Sequence, residues 1–283
     1  MRYLLLPLLF LCSCVFVLND RPKVQLEEDF NFAAGNIKVL KVETYNGRVE
    51  IDAGTQGDVA CHAKFYATGY DLDEAMANAK KMKVVSEIDG DTLTISVPRH
   101  PKLGTNNVGA SLYLTVPPDV ELDIYTANGS VETNAAFPSP KVRTSNGAIT
   151  VVASRGPVEL RTSNGPINLT AATDSNIEAK TSNGPIYFAG ESRDFELVTS
   201  NGKIRIDLPA DWDGKGYLDT SNGNIEINSI GVLQCSLSGR TSNGKIRVYG
   251  PKLKEVGDTD SNLRCVTSNG SVSVYHGDAK KDK

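Results

Sequence analysis

Apolar and polar residues alternate along most of this chain. The alternation is broken at regular intervals by one tetrapeptide, Thr-Ser-Asn-Gly, which occurs seven times between Thr144–Gly147 and Thr267–Gly270, with near-copies at Thr44–Gly47 and Thr126–Gly129. Aligned on their asparagines, the copies are centred on Asn46-Gly47, Asn128-Gly129, Asn146-Gly147, Asn164-Gly165, Asn183-Gly184, Asn201-Gly202, Asn222-Gly223, Asn243-Gly244 and Asn269-Gly270. Two residues before the Asn stands Thr in every copy. Four before it stand Val42, Ile124, Val142, Leu160, Ala179, Leu197, Leu218, Gly239 and Cys265. Three after it stand only Val or Ile, among them Ile149, Ile186 and Ile246. Five after it stand Ile51, Thr133, Val151, Leu169, Phe188, Ile206, Ile227, Val248 and Val274. The positions in between are polar or variable. Period-two alternation with one apolar column set predicts two short strands per repeat, one face buried, with Asn-Gly as the corner.

From Asn128 onward the Asn-to-Asn steps are 18, 18, 19, 18, 21, 21 and 26 residues, the signature of a stacked repeat. Two folds satisfy the parity. In an antiparallel meander each Asn-Gly is a two-residue hairpin turn. In a β-solenoid each repeat is one coil, and its strands pair with equivalent strands above and below. A hairpin has no use for an unvarying Thr and Ser ahead of Asn-Gly, whereas stacked coils place identical side chains about 4.8 Å apart, close enough for hydrogen-bonded ladders. The expected fold is therefore all-β: a β-solenoid, a single-stranded β-helix-like stack of 18–21-residue coils, with one short packing helix near the N-terminus.

That helix is expected over 72–84. Asp71 can cap it, Glu74 sits in capping-box position, and Leu72, Ala75, Met76, Ala79 and Met82 form a stripe. Around it, residues 30–120 read as an N-terminal β-rich part. Val59, Cys61, Ala63 and Phe65 share one strand face, and a hairpin turns at Asp89-Gly90. Residues 121–276 are the repeat array and 277–283 a charged tail. The longer late repeats put Trp212 in an exposed loop and add a loop at Lys252–Asp260. The last coil, with Val272 and Val274, is expected at the end of the stack, capped by Tyr275, His276 and the tail.

The N-terminus departs from this pattern. Arg2 precedes the apolar run Leu4–Leu11, too short to span a bilayer and interrupted by Pro7, which fits an export signal. The run ends in Leu11-Cys12-Ser13-Cys14, which resembles a bacterial lipobox. Residues 1–14 then form the lipoprotein signal with Cys14 as the lipidated residue, and 15–29 a tether. A simple secretory signal cut a few residues later is the alternative. Charge adds little: a net charge of −4 and short mixed charge runs leave no basic face for nucleic acid.

The lipobox, the strand pair around Thr44–Gly47, the helix and the Gly90 hairpin, the Val116-Pro117 strand end and the serial Thr-Ser-Asn-Gly-x-Ile units together resemble the bacterial DUF4097 family over roughly residues 30 to 276. That family is provisionally named for adhesins. The resemblance implies a β-helical fold and an envelope location, and it brings no catalytic motif.

The residues themselves offer little chemistry. No C-x-x-C and no metal-ligand spacing occurs, His62, His100 and His276 are far apart, and no Gly-rich loop opens a helix. Catalytic, cofactor-binding and metal residues are thus expected to be none. Cys61, Cys235 and Cys265 fall on inward parity; buried thiols are the plain reading, a Cys235–Cys265 disulfide the sharper one. Asp207, Asp211, Asp213 and Asp219 cluster in sequence and offer a cation or sugar site, or merely a polar turn. Arg205, Glu226 and Arg247 place alternating charges on what the sequence suggests are neighbouring coils. The leading expectation is a non-enzymatic, lipid-anchored envelope protein, in the outer membrane or on a periplasmic face. It would hold the membrane by its lipid and present a rigid surface to a glycan or protein ligand on the cell surface. A polysaccharide-active β-helix enzyme and a structural or signalling accessory of the envelope are the alternatives.

Overall fold

The computed structural model describes residues 14–18, 21–33, 35–55, 57–100, 103, 108–171, 176–253 and 261–277. Residues 1–13 of the expected signal segment 1–14 lie outside them, as do most of the Lys252–Asp260 loop and the tail from 278. The chain forms two compact units, Met1–Phe137 and Pro138–Lys283.

The second unit is the clearer. Its strands are β11 Lys141–Thr144, β12 Ile149–Ala153, β13 Val158–Arg161, β14 Ile167–Ala171, β15 Asn176–Thr181, β16 Ile186–Gly190, β17 Asp194–Thr199, β18 Ile204–Leu208, β19 Lys215–Thr220, β20 Ile225–Ser229, β21 Ser236–Thr241, β22 Ile246–Tyr249, β23 Asn262–Thr267 and β24 Val272–Tyr275. Every pairing is parallel and in register with the repeat. Ile149 pairs with Ile167, Ile167 with Ile186, Ile186 with Ile204 and Ile204 with Ile225. In the other sheet Leu160 pairs with Ala179, Ala179 with Leu197 and Leu197 with Leu218. This is the solenoid, and the meander is excluded, because no Asn-Gly joins two strands that pair with each other. The apolar columns are the core: Ile149, Ile167, Ile186, Ile204, Ile225 and Val272 have no exposed surface. Each such side chain stabilises the fold by about 1.5–3 kcal/mol on burial.

The corners explain the motif. Thr181 Oγ1 donates to the carbonyl of Gly165 on the preceding coil (3.1 Å) and accepts from the amide of its own Gly184 (3.3 Å). Thr199 repeats this with Gly184 and Gly202 (3.0 and 3.1 Å). The asparagines form a ladder in which Asn164 Nδ2 donates to Asn146 Oδ1, Asn183 to Asn164, Asn201 to Asn183 and Asn222 to Asn201, each at 2.7–2.8 Å. Serine adds its rung through the backbone: the amides of Ser182 and Asn183 both donate to the Ser163 carbonyl. The glycine is needed for closeness. A Cβ on Gly184 would lie 1.8 Å from the Gly165 carbonyl oxygen, and one on Gly202 1.8 Å from that of Gly184. These corner glycines do not adopt the positive φ that a type I′ hairpin would demand.

The last two coils are stacked out of sequence order. β23 pairs on one side with β19 and on the other with β21, and β24 lies likewise between β20 and β22. The Asn ladder follows: Asn269 donates to Asn222, and Asn243 to Asn269. The coil expected last is therefore the penultimate one. The edge coil is β21–β22, whose Ile246 and Val248 are 41% and 43% exposed although they occupy core columns. Glu226 and Arg247 are accordingly not on neighbouring coils, since Ser273 stands between them. Tyr275 lies parallel against Tyr249 with ring centroids 4.8 Å apart, and His276 is buried, so neither residue caps the stack. Trp212, expected in an exposed loop, is 3% exposed. Its Nε1 donates to the Ser192 carbonyl (2.8 Å) and its ring packs 5.5 Å from Phe195, so the longer repeat folds its insertion inward over the core.

The first unit holds β1 Cys14–Leu18, β2 Arg21–Ala33, β3 Val39–Thr44, β4 Val49–Ala53, β5 Asp58–Thr68, α1 Leu72–Ala79, β6 Val85–Asp89, β7 Thr92–Ser96, β8 Val108–Val116, β9 Glu121–Thr126 and β10 Val131–Phe137. The corner at Asn46 stacks on the corner at Asn128: β3 pairs with β9, β4 with β10, and Asn128 Nδ2 donates to Asn46 Oδ1 (2.7 Å) across 82 residues of sequence. Residues 15–29 are not a tether. β1 pairs with β2, and β2 runs antiparallel to β5 along its whole length, because Val24 and Leu26 alternate inward and are buried. The helix stops at Ala79 rather than 84. Asp71 caps it through the Glu74 amide (2.8 Å), but Lys80, Lys81 and Lys83 lie past its end and Leu72 is 47% exposed, so its packing face is Ala75 and Ala79. The Gly90 hairpin forms as expected, β6 against β7, with Gly90 at φ 61°.

Candidate functional site

A uniform frame directs attention to its outward residues, and in the second unit the two outer faces differ. Between the corners on the β13–β15–β17 side, charges are consumed by one another. Arg143 Nη2 and Arg161 Nε reach Glu159 at 2.7 and 2.9 Å, Arg161 Nη2 reaches Glu178 at 2.8 Å, and Lys180 reaches Glu178 and Glu196 at 2.7 and 2.9 Å. The hydrogen bond from Arg143, with Lys141 and Arg161 nearby, holds the Glu159 carboxyl below its ordinary range. Hydrogen bonds to Glu178 and Glu196 raise the Lys180 ammonium. Farther along, Tyr217 donates to Asp219 (2.8 Å) and lies under the Arg264 guanidinium, 5.7 Å from the ring centroid. Along β11, β13, β15 and β17 this face is a lattice of surface ion pairs.

On the other face, strands β16, β18 and β20 lead into a groove of about 500 Å³ bordered by Glu191, Arg205, Asp207, Pro209, Asn228 and Ile230. Asp207 Oδ1 accepts from Asn228 Nδ2 (2.7 Å) and from Arg205 (3.4 Å). Glu226 is buried under Arg205 (3.8 Å) and Lys203 (2.7 Å). The register places Tyr187 one coil to one side of Arg205, and Tyr275 then Tyr249 one and two coils beyond Asn228. Tyr187 and Tyr249 are 40% and 41% exposed, and Ile230 at the rim is 87% exposed. These residues sit at positions where the repeats differ, and parallel strands on both sides hold the backbone of Tyr187, Arg205, Asp207, Asn228 and Tyr275.

The four aspartates that cluster in sequence are dispersed. Asp207 is in the groove, Asp213 pairs with Arg193 (3.3 Å), Asp219 is bound by Tyr217 on the opposite face, and Asp211 faces Gln234. Among the described residues no group of three or more His, Cys, Asp or Glu side chains could hold a metal ion. Cys61, Cys235 and Cys265 are buried thiols rather than a disulfide pair plus one; burial, with Cys235 close by, pushes the Cys265 thiol up to about 12, which makes it unreactive. The corner residues from Asn46-Gly47 to Asn269-Gly270 are structural. The strand of which Cys14 is the first residue is described, but the lipobox residues before it are not. Sequence reasoning named Arg205 and Glu226 as alternating outward charges and Asp207 in a candidate cation or sugar cluster, and did not single out Tyr187, Asn228 or Tyr275. The signal that unites them, variable polar and aromatic residues at +4 and +6 of successive coils, was present but needs the coil order to be assembled.

No protein-family model matches the chain, and no curated protein does. Solved structures do. It is similar to a protein of Parabacteroides distasonis ATCC 8503 provisionally named as lipid binding, at 13% identity and a TM-score of 0.43, covering 88% of this chain and 96% of that one. It is similar to a provisionally named adhesin of Bacteroides fragilis NCTC 9343, at 10% identity and a TM-score of 0.37 over 88% and 96% of the two chains. A provisionally named cell adhesion protein of Clostridium sporogenes ATCC 15579 matches at 10% identity and a TM-score of 0.27 over 88% and 97%. The fold stated above rests on strand register alone.

Proposed function

We propose that this chain is a non-enzymatic, lipid-anchored protein of the bacterial cell envelope, a member of the DUF4097 group, that uses the β16–β18–β20 face as a binding surface for a ligand of the cell exterior. The observation that carries the binding reading is the contrast between faces: one is closed by its own ion pairs, while the other presents a groove with exposed aromatic and amide groups on a rigid sheet. A non-enzymatic reading fits the same groove. Asp207 in the groove and Glu226 beside it both contact Arg205, and Glu226 is held by Lys203 as well, so they serve an ion-pair network. The anchor rests on Leu11-Cys12-Ser13-Cys14; acyl chains contribute about 0.8 kcal/mol for each buried CH₂, so two or three fix a soluble domain to a bilayer. Among the described residues no helix is long and apolar enough to cross a membrane.

Cys14→Ser tests the anchor. Wild-type protein is expected to sediment with membranes and incorporate labelled palmitate, and the variant to move to the soluble fraction without label. A variant that stays membrane-bound would overturn the anchor at Cys14.

A further inference from the structure

The geometry points to an extended, uncharged glycan as the ligand of the β16–β18–β20 face, lying along the coil axis from Tyr187 across Arg205, Asp207 and Asn228 to Tyr275. This inference rests on the binding role proposed above for that face and names its ligand. Three observations carry it.

The first is charge. Lys203 and Arg205 are balanced by Asp207 and Glu226 through contacts of 2.7–3.8 Å, so the cations nearest the groove are already engaged by carboxylates and offer little to a phosphate, sulfate or uronate there. Glu191 at the rim adds a negative charge that repels such groups. The second is the kind of polar group. Arg205, Asp207 and Asn228 end in planar groups, two hydrogen-bonding atoms on the carboxylate and the amide and three on the guanidinium, already oriented by one another at 2.7 and 3.4 Å. Paired donors and acceptors of this sort match the vicinal hydroxyls of a pyranose, each of which both donates and accepts. Pre-ordering them removes part of the entropy that binding costs. The third is the aromatic placement. Tyr187 stands one coil before Arg205 and Tyr275 one coil after Asn228, with Tyr249 stacked on Tyr275. Coils repeat about every 4.8 Å, close to the advance of one sugar along an extended chain. Tyrosine offers a flat apolar ring for the C–H face of a sugar and a hydroxyl at its edge. The groove's apolar side chains, Leu208, Pro209 and Ile230, offer further contact to the C–H face of a sugar beside the polar groups.

The test uses the full chain in detergent with neutral oligosaccharides of four to six residues (glucose, mannose, galactose and N-acetylglucosamine series) and hyaluronan as an anionic control, read by calorimetry. Whole-envelope fragments form a parallel arm, read by co-sedimentation. At least one neutral series is expected to bind, with Tyr187→Ala and Asn228→Ala each weakening it at least tenfold and Tyr217→Ala, on the opposite face, leaving it unchanged. Binding only to hyaluronan, or neutral binding indifferent to Tyr187 and Asn228, would overturn the inference. If no oligosaccharide binds but envelope fragments do, and Tyr187→Ala abolishes that, the glycan is wrong and the face is right. If the face variants alter neither arm, both readings fall.

Discussion

The repeated threonine is the residue on which the stack depends most directly. Thr199 is 2% exposed, donates to one coil and accepts from its own, so its hydroxyl satisfies two backbone groups that have no access to water. Thr199→Val keeps the shape and removes both bonds. It is expected to destabilise by about 1–3 kcal/mol, read as a lower urea midpoint with unchanged slope, while Thr199→Ser keeps most of the stability; a midpoint equal to wild type would show that the rung contributes nothing. The Asn ladder was legible from sequence, since identical polar residues at one period have little other use, whereas the Thr hydroxyl bonds glycine backbone and not the next Thr. The reason for glycine was not. Asn-Gly ordinarily signals a positive φ, and here the glycine is set by the approach of the next coil's backbone, which no single copy reveals.

At the scale of the coil, the same column has different value at different heights. Ile186 has no exposed surface and Ile246 is 41% exposed, although both stand three residues after their Asn. Ile186→Asp buries an unpaired charge between two coils and is expected to cost about 4 kcal/mol or more, seen as loss of the cooperative unfolding transition. Ile246→Asp should cost less than about 1 kcal/mol. Equal losses would mean that the edge coil is covered in solution. The apolar columns and the parity of Val59 to Phe65 were readable because period two belongs to the strand itself. The order of the last coils was not, because every coil carries the same motif and the pairing energies of the alternatives are nearly degenerate. The strand at 21–33 was missed for a related reason: its partner is β5, and its sequence carries charges and a proline that read as a linker. Trp212 was misplaced because loop length was taken for exposure.

At the scale of the molecule, a stack held by nearest-neighbour contacts should tolerate the loss of a whole period best. Removing Pro166–Gly184, 19 residues, joins Gly165 to Pro185 and restores Asn-Gly-Pro-Ile, so β12 can pair directly with β16 in unchanged register. This deletion is expected to fold and to melt cooperatively at a somewhat lower temperature. Removing Pro166–Asn183, 18 residues, leaves an extra glycine inside the corner ahead of Pro185-Ile186, where backbones of successive coils approach most closely, and is expected to melt at a clearly lower temperature than the 19-residue deletion. If both deletions melt alike, the spacing at the corner does not govern the stack. The frame was readable from sequence; the groove was not, since Tyr187, Arg205, Asp207, Asn228 and Tyr275 gather only once the coils are ordered.

The out-of-order coils have a consequence for how the chain matures. When residues 236–249 have been made, their final neighbours do not yet exist: β21 and β22 touch the rest of the stack only through β23 and β24. A vacant slot one coil thick must wait for residues 262–275, which are synthesised after it. Their arrival closes both sheets at once. The β23–β24 coil thus acts as a keystone, and a chain without it would leave β19 and β20 as an unfinished edge.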